Sequence, residues 1–296
     1  MKKILLVVLS YNNAEYISST LSSIIQNDIT HFDIVINDDA SLDNSVQVIK
    51  KFMDENSSIT SNWILNINSK NLGINLSIKR IIQNHEADWV KIIAGDDEFE
   101  LESLRQYYQL GAIHDFNSTL IIGGMRYIGS TSCIVGSRSA PNELLYTTPW
   151  IKQANFYVNT IPAASVMIGR KIFLSVLDTT KARNAEDWPI LRFAILNNLK
   201  FVIEDRFLVR YRMHSKSISR SFFRKKYDSE NPIAGDVQLL LEENLASSKN
   251  VFTRMGIKIQ ILQLNSNSQF GRITIKLLKL LNPQYLLFCL LRSAKK

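Results

Sequence analysis

The chain has 296 residues, of which 46% are hydrophobic and 21% are charged, and its formal net charge is +8 at pH 7. These proportions indicate a globular protein with a sizeable core and exclude a disordered or fibrous chain. Residues 251–296 hold eight of the 35 basic residues and no acidic one. The rest of the chain is balanced at 27 residues of each sign, so the basic charge does not indicate nucleic-acid binding by the main domain.

The first hundred residues alternate between strand and helix patterns. Short apolar runs bounded by polar turn residues predict buried strands at 4–9, 32–37, 63–67 and 89–93. Amphipathic segments predict helices at 14–26, from 43 onward and at 75–84. This rhythm predicts an α/β fold with a doubly wound, mostly parallel sheet flanked by helices.

The pattern is looser after residue 93. It predicts strands at 119–128, 165–168, 201–203 and 207–211, a polar loop at 136–148 and a helix at 187–197. Beyond about residue 225 the sequence becomes helical and finally basic and apolar. We therefore predict a catalytic domain at 1–225, with a nucleotide-binding half at 1–100 and an acceptor half at 101–225, and a helical extension at 226–296.

Three features bear on the compartment. The apolar run at 4–9 has six residues, which is shorter than the ~7–15 of a signal peptide, so a first strand is the better interpretation. No apolar stretch reaches the ~18–20 residues of a membrane span. Cys133 and Cys289 show no metal-binding or paired spacing, which favours a reduced compartment without structural zinc. We expect a cytoplasmic protein.

Two predicted strands end in paired carboxylates. Asp38 and Asp39 follow the strand at 32–37, and Asp96 and Asp97 follow the strand at 89–93. In an open α/β sheet, ligands bind beyond the carboxyl ends of the strands. Two acidic pairs at that edge favour a site for a hard divalent cation and a phosphate-bearing ligand.

Four short blocks in the sequence carry a family resemblance. The first reads SYN at 10–12 followed by YI at 16–17, and the second reads DDASLD at 38–43. The third reads NLG at 71–73 leading to GDD at 95–97, and the fourth reads EDW at 186–188 followed by YRMH at 211–214. In this order they resemble a family 2 glycosyltransferase with the GT-A fold, over roughly residues 3–220. The departures are Ala40 and Leu42 for Gly and Thr of the family's DDGSTD element, and Ala94 and Gly95 where its DxD element begins.

The resemblance implies a set of site residues. Asp97 and His214 would hold Mg²⁺ or Mn²⁺, Asp96 would contact the ribose or the metal, and Asp187 would be the catalytic base. The residues implied to bind the nucleotide-sugar are Ser10, Tyr11, Asn12, Asp38, Asp39, Asn71, Gly73 and Asp96.

The chemistry of sugar transfer is consistent with these roles. A cation neutralises charge on a leaving diphosphate, and a carboxylate takes the proton of the attacking hydroxyl. Each carboxylate could instead cap a turn or a helix, and Tyr11 and His214 could be structural. Asp187 stands at the start of a predicted helix, which is expected to lower its pKa.

The basic and apolar tail allows two interpretations. A helix pair of this composition could lie at an anionic membrane surface, or it could pack on the catalytic domain with a solvated basic face. The complete absence of acidic residues favours the membrane, and with it a peripheral location on the inner face of the cytoplasmic membrane.

These observations predict an inverting, metal-dependent glycosyltransferase that moves a sugar from a nucleotide-sugar to a glycan or polyprenyl-lipid-linked acceptor. The resemblance implies a role in surface polysaccharide assembly, such as O-antigen of lipopolysaccharide or capsule. A nucleotidyltransferase is the first alternative, but residues 10–15 contain no Gly, Lys or Arg for a phosphate loop. A non-catalytic glycan- or membrane-binding subunit is the second, and the intact acidic pairs argue against it.

Overall fold

The computed structural model describes residues 2–214, 232–265, 275 and 277–293. Within these residues the strands are β1 (Ile4–Ser10), β2 (Phe32–Asp38), β3 (Ile64–Ile67), β4 (Trp89–Ala94), β5 (Glu98–Phe99), β6 (Thr119–Ile128), β7 (Ile134–Arg138), β8 (Val166–Gly169) and β9 (Lys200–Arg212).

The helices in the described ranges are α1 (Ile17–Ile25), α2 (Ser45–Glu55), α3 (Ser57–Thr60), α4 (Ile74–Asn84), α5 (Ser103–Ile113), α6 (Leu144–Thr147), α7 (Arg170–Thr179), α8 (Asp187–Leu196), α9 (Pro232–Ser247), α10 (Val251–Asn265) and α11 (Pro283–Ser293). Two short 3₁₀ helices lie at Lys152–Phe156 and Ala163–Ser165.

The strands form one mixed sheet in the order β3-β2-β1-β4-β8-β6-β9-β5, with β7 paired to β6. Strands β1 to β4 are parallel, and β6 runs parallel to β9. Strand β8 is inserted antiparallel between β4 and β6. The predicted α/β fold with a mostly parallel sheet flanked by helices is confirmed, and so is the helical C-terminal segment.

Each face of the sheet supports its own hydrophobic core, as the alternation of side chains along β1 requires. Leu5 and Val7 belong to one core, together with buried residues of α4, α7 and α8. Ile4, Leu6 and Val8 belong to the other core, with residues of α1, α2 and α5. The helices therefore cover both faces and leave the carboxyl edge of the parallel strands open for a site.

The predictions for the second half of the domain are partly wrong. The segment 136–148 is not a loop throughout, because β7 and α6 occupy parts of it. The two strands predicted at 201–203 and 207–211 are one strand, β9, which pairs along most of its length with β6. The sequence also failed to predict β5, α5 and α7.

The C-terminal helices pack against the catalytic domain. Leu240 and Leu241 of α9, Ile257 of α10 and Phe288 of α11 are buried in the first of the two cores. The extension therefore shares its core with buried residues of α7 and α8. The predicted boundary between residues 225 and 226 lies outside the described residues.

Candidate functional site

The carboxyl ends of β1 and β2 lie side by side, because Ser10 pairs with Asp38 in the parallel register. Asp38 is fully buried, and its Oδ2 accepts the hydroxyl protons of Ser10 at 3.0 Å and Ser41 at 2.6 Å. Its Oδ1 accepts the backbone N–H of Ser41 at 2.8 Å. Asp38 thus fixes the turn after β2, and its contact with a nucleotide base stays a prediction.

Two residues of this turn region have left-handed backbone conformations, Asn12 with φ of 55° and Ala40 with φ of 63°. Asn12 ties the two loops together, because its Oδ1 accepts the N–H of Leu42 at 2.8 Å and its own N–H donates to Ser41 Oγ at 2.9 Å. Ala40 stands where the resembled motif has glycine, and the turn keeps a conformation that glycine favours.

Replacing Ala40 by glycine should raise the free energy of unfolding by about 0.5–1 kcal/mol. The left-handed conformation costs a residue with a Cβ about 1–2 kcal/mol, and glycine avoids this cost. Glycine also makes the unfolded chain more flexible, and this effect cancels part of the gain in stability. Urea denaturation followed by circular dichroism measures the difference. Ala87→Gly, at a loop position without a positive φ, is the control and should lower stability. An Ala40→Gly protein no more stable than the natural one would contradict the expectation.

Asp39 organises the turn at 71–73. Its Oδ1 accepts the backbone N–H of Leu72 and the side-chain amide of Asn68, both at 2.8 Å. Its Oδ2 accepts the N–H of Gly73 at 2.9 Å. This buried carboxylate bonds to the residues that follow β3, while Asp39 itself follows β2, so it joins the ends of the two strands. We call this connected edge of the site the rim built on Asp39.

Gly73 lies directly beneath the side chain of Arg183. Its φ is 83°, and a Cβ at this position would lie 2.6 Å from Cγ of Arg183. The Nη2 of Arg183 donates to the backbone oxygen and to Oδ1 of Asn71, both at 3.1 Å. Glycine is therefore required twice, by the backbone conformation and by the close approach of the arginine.

The loop that carries Arg183 and leads to α8 is held from two sides. On one side the backbone N–H of Asn75, in the first turn of α4, donates to the oxygen of Arg183 at 3.0 Å. On the other side the buried carboxylate of Asp236 in α9 accepts three consecutive backbone N–H groups at 3.0, 2.6 and 3.1 Å, those of Arg183, Asn184 and Ala185. The C-terminal extension therefore contributes directly to this part of the domain.

Asp96 and Asp97, which follow β4, have different surroundings. Asp97 is buried, and its Oδ1 accepts the backbone N–H of Arg212 at 2.8 Å. Burial and the neighbouring Asp96 raise the pKa of Asp97 well above its ordinary value. Asp96 keeps 19% of its side-chain surface exposed, and its Oδ2 lies 2.8 Å from Nε2 of His214. Asp96 is therefore the carboxylate of the pair that a ligand can reach.

Asp96 and His214 fit a divalent cation of the kind that the resemblance implies. The 2.8 Å between their Oδ2 and Nε2 atoms is close to the ~2.9 Å between adjacent ligands of an octahedral ion with bonds of ~2.0–2.1 Å. No cluster of three or more metal-binding side chains occurs among the described residues. Mg²⁺ is commonly held by one or two carboxylates, with phosphate oxygens and water completing its ligands.

Arg212 holds this acidic turn in place from β9. Its side chain is almost fully buried, and its Nε donates to the backbone oxygen of Asp96 at 2.7 Å. Its guanidinium also forms a buried ion pair with Glu98 and lies 4.8 Å from the ring centre of Tyr16. The ring of Tyr16 in turn packs at 4.8 Å from that of His214. One arginine therefore supports both candidate cation ligands.

A fully buried lysine lies under the same turn. The Nζ of Lys91, in the middle of β4, donates to the backbone oxygens of Ile92 at 2.6 Å and Ala164 at 2.5 Å. Burial lowers the pKa of Lys91 to about 7, against the opposing influence of the Asp97 carboxylate. Lys91 is thus an interior neighbour of Asp97 whose charge changes near neutral pH.

Asp187 is the first residue of α8. Its Oδ2 accepts the side-chain amide of Asn159 at 2.6 Å, and its Oδ1 accepts the backbone N–H of Trp188 at 2.7 Å. Burial raises the pKa of Asp187, so the expectation of a pKa lowered by the helix N-terminus is wrong. Desolvation of the carboxylate outweighs the helix and the hydrogen bonds. Burial and the adjacent Asp187 also raise the pKa of Glu186, to about 8.

The structure brings most of the predicted site residues to one edge of the sheet. The backbone N–H of Gly95 donates to the oxygen of Leu9 at 2.7 Å, which joins the turn after β4 to the end of β1. Tyr11 follows β1 with 42% of its surface exposed. The connected set comprises Ser10, Asn12, Asp38, Asp39, Asn71, Gly73, Asp96, Asp97 and His214. Asp187 follows the loop that Arg183 fixes against this set.

Four residues of the site were not predicted to act there: Asn159, Arg183, Arg212 and Asp236. Arg212 lies within the block at 211–214, and that block was the feature of the sequence that could have indicated its role in the site. The others lie outside every motif, and their partners are 28 to 112 residues away along the chain. No local pattern could have linked them.

Comparisons with known proteins agree with this arrangement. The model of the family described as Glycosyl transferase family 2 matches residues 5–132. The uncharacterized glycosyltransferase MG060 of Mycoplasma genitalium is 28% identical over 104 residues, which are 34% of this chain and 35% of that protein. The match thus spans about a third of the length of that curated relative.

Two solved structures are similar over nearly the whole chain. S. aureus TarS 1-349, in complex with UDP-GlcNAc, has a TM-score of 0.61 and 18% identity, covering 96% of this chain and 78% of that one. The mannosyltransferase PcManGT from Pyrobaculum calidifontis, in complex with GDP-Man and Mn²⁺, has a TM-score of 0.55 and 12% identity, covering 98% and 84%. At these identities the likeness establishes the fold alone.

Proposed function

We propose that this chain is an inverting, metal-dependent glycosyltransferase of family 2 with the GT-A fold, because the family model matches residues 5–132 and the solved structures share the fold. It moves a sugar from a nucleotide-sugar to a glycan or lipid-linked acceptor in the assembly of a cell-surface polysaccharide. One observation carries the proposal. The rim built on Asp39, the Asp96–His214 pair and the loop before Asp187 are joined at the carboxyl edge of the sheet.

The donor side of the proposed site lies beyond β1 and β2. Tyr11 is exposed there and offers an aromatic face for stacking on a nucleotide base. The buried bonds of Asp38 and Asp39 keep the surrounding loops rigid, which lowers the entropic cost of binding. The structures of TarS with UDP-GlcNAc and PcManGT with GDP-Man support a nucleotide-sugar as donor.

Asp96 and His214 are the residues that would hold Mg²⁺ or Mn²⁺, with Asp97 as the further carboxylate of the same turn. When bound, the ion would supply charge neutralisation on the leaving diphosphate. Arg212 fixes the backbone at Asp96 and thereby keeps both candidate ligands in register. The Mn²⁺ in the PcManGT structure supports a divalent cation in a protein of this fold.

Asp187 is proposed as the general base. In an inverting transfer the acceptor oxygen forms a bond to the anomeric carbon while the bond to the diphosphate breaks on the opposite face, and a carboxylate takes the hydroxyl proton. Each Asp187 oxygen accepts one hydrogen bond within the protein and keeps a further lone pair for the acceptor. A pKa raised by burial makes this carboxylate a stronger base than an exposed one.

A thermal-shift panel tests the proposal without knowledge of the acceptor. UDP, GDP, dTDP and CMP are each added with and without Mn²⁺, since a ligand that binds the folded state raises the melting temperature. We expect one nucleotide to stabilise the protein, and only with the metal. The absence of a shift with all four nucleotides would contradict a nucleotide-dependent enzyme.

A further inference from the structure

The C-terminal helices expose an apolar surface while their opposite side is firmly packed. Five apolar residues, each with more than half of its surface exposed, define what we call the C-terminal apolar face: Val251, Leu277, Leu280, Leu281 and Leu290. On the packed side Phe288 is buried in the core, and Gln284 donates to the oxygen of Trp150 at 2.5 Å. The helices are therefore well anchored, and the exposure is a property of their outer side.

Hydrogen bonds bring these separate segments together. The side-chain amide of Asn282 donates to the backbone oxygen of Phe252 at 2.8 Å, which places the start of α10 beside the turn before α11. Leu281 precedes this asparagine, and Val251 precedes Phe252. The backbone N–H of Leu286 donates to the oxygen of Asn282 at 3.1 Å, so α11 begins at the same point. The exposed residues around Asn282 are thus neighbours in space.

The charged residues of the segment 251–296, which carries this face, have a single sign. Residues 251–296 contain eight basic residues and no acidic one. Among the described residues, Lys249, Lys258 and Arg292 are exposed on the segments that carry the face. A second copy of the chain would bring basic residues against basic residues in a symmetric interface. An anionic lipid surface matches both the apolar and the basic groups.

We propose that the C-terminal apolar face docks onto an anionic membrane. Its leucines enter the boundary between headgroups and acyl chains, and the basic side chains contact lipid phosphates. None of the helices within the described ranges has the length and apolar character needed to cross a bilayer. The side-chain amide of Asn142 donates to the oxygen of Leu291 at 3.3 Å, which ties α11 to the acceptor half. Docking in this way would also present a lipid-linked acceptor to Asp187, and this additional step rests on the proposed function.

Vesicle co-sedimentation of the full chain tests the docking and requires neither nucleotide nor transfer activity. The vesicles consist of phosphatidylcholine with or without phosphatidylglycerol, at low and high salt. We expect binding that needs the anionic lipid and weakens with salt. The double variant Leu280→Gln/Leu281→Gln should lower the partition coefficient at least about tenfold, since two leucines lose their apolar contact with lipid. Ile113→Gln, at an exposed isoleucine of α5, is the matched control and should bind like the natural chain.

Three outcomes would overturn this proposal. Equal binding to neutral and anionic vesicles would show that the basic charge has no role. The absence of binding to both would show that the face does not dock onto a membrane. A dimer in sedimentation equilibrium that the double variant abolishes would assign the face to a second copy. A protein that binds vesicles but no nucleotide would retain this inference while losing the proposed function.

A different observation carries a second proposal, which rests on Asp187 as the base. We infer that Asp236 is a positioning residue for Asp187. Its carboxylate accepts three consecutive N–H groups of the loop that ends at Glu186, so it fixes the backbone on which the base stands. It reaches this loop from α9, in the C-terminal extension.

Kinetics separate positioning from simple stability. Asp236→Ala should lower kcat at least about tenfold when assayed well below its melting temperature, and Asp236→Asn, which keeps one accepting oxygen, should recover part of it. The nucleotide-induced thermal shift should persist, because Asp39 holds Leu72 and Gly73 independently. Glu242→Ala, at an exposed position of the same helix, should keep full activity. An unchanged kcat in folded Asp236→Ala would overturn the inference, whereas full activity in Asp187→Asn would instead remove the proposed base.

Discussion

Changing Asp187 to asparagine should lower kcat for sugar transfer about a thousandfold. Asparagine keeps the shape of the side chain but cannot take a proton, and general-base catalysis contributes about 10²–10⁴ in rate. The nucleotide-induced thermal shift should remain, because Asp187 lies outside the rim built on Asp39. Steady-state assays with the donor identified by the thermal-shift panel measure the effect.

The pH dependence of the same reaction provides an independent check. Because burial raises the pKa of Asp187, the proposed base is protonated over a wider acidic range than an exposed aspartate would be. The rate should therefore rise with pH as Asp187 loses its proton, and Asp187→Asn should abolish this limb of the profile.

Glu186→Gln is the matched control for the base. The pKa of Glu186 is raised to about 8, so this neighbour is mostly protonated at neutral pH and is a poor candidate for the base. We expect its amide variant to keep most of the activity. A larger loss in Glu186→Gln than in Asp187→Asn would exchange the roles of the two carboxylates.

Changing Asp96 to alanine should abolish the metal-dependent part of the nucleotide-induced thermal shift and lower transfer at least about a hundredfold. Asp96 is the reachable carboxylate at the turn after β4, and a lost ligand removes charge neutralisation from the leaving group. Thermal shifts with and without Mn²⁺, compared between the variant and the natural chain, measure the first effect.

Two further variants test whether that result is specific to Asp96. Asp88→Ala removes a carboxylate just before β4, at the opposite end of the strand, and should leave the metal response unchanged. Asp97→Asn changes a buried carboxylate bonded to the backbone of Arg212, so we expect a lower melting temperature with the metal response retained. Loss of the metal response in Asp97→Asn but not in Asp96→Ala would make Asp97 the principal ligand.

The sequence was most informative where local pattern decides structure. Strands β1, β2 and β4 are buried apolar runs, and their observed ends lie within one residue of the prediction. The polar residues 204–206 interrupted the apolar pattern of β9, although pairing with β6 continues beyond them. Strand β7 was missed because three of its five residues are exposed and the other two are only partly buried at the edge of the sheet, where apolar alternation is not required.

The candidate site was predictable only as a list of motifs. The bonds from Asp39 to Leu72 and Gly73 join two motifs 33 and 34 residues apart, and no spacing rule indicates that they meet. The pKa of Asp187 depends on burial by distant segments, so its position at the helix start gave the wrong direction. Asp236 lies outside the resembling region altogether.

The three bonds made by Asp236 have a consequence for how such chains can diverge or be recombined. A shortened protein that ends near residue 225 would lose not only the buried side of α9 but also the anchor of the loop before Asp187. Exchanging the last seventy residues with those of a relative would also replace the residue that anchors the loop before Asp187. We therefore expect the extension to be exchangeable only together with the loop that Asp236 anchors, because it supports that loop as well as the core.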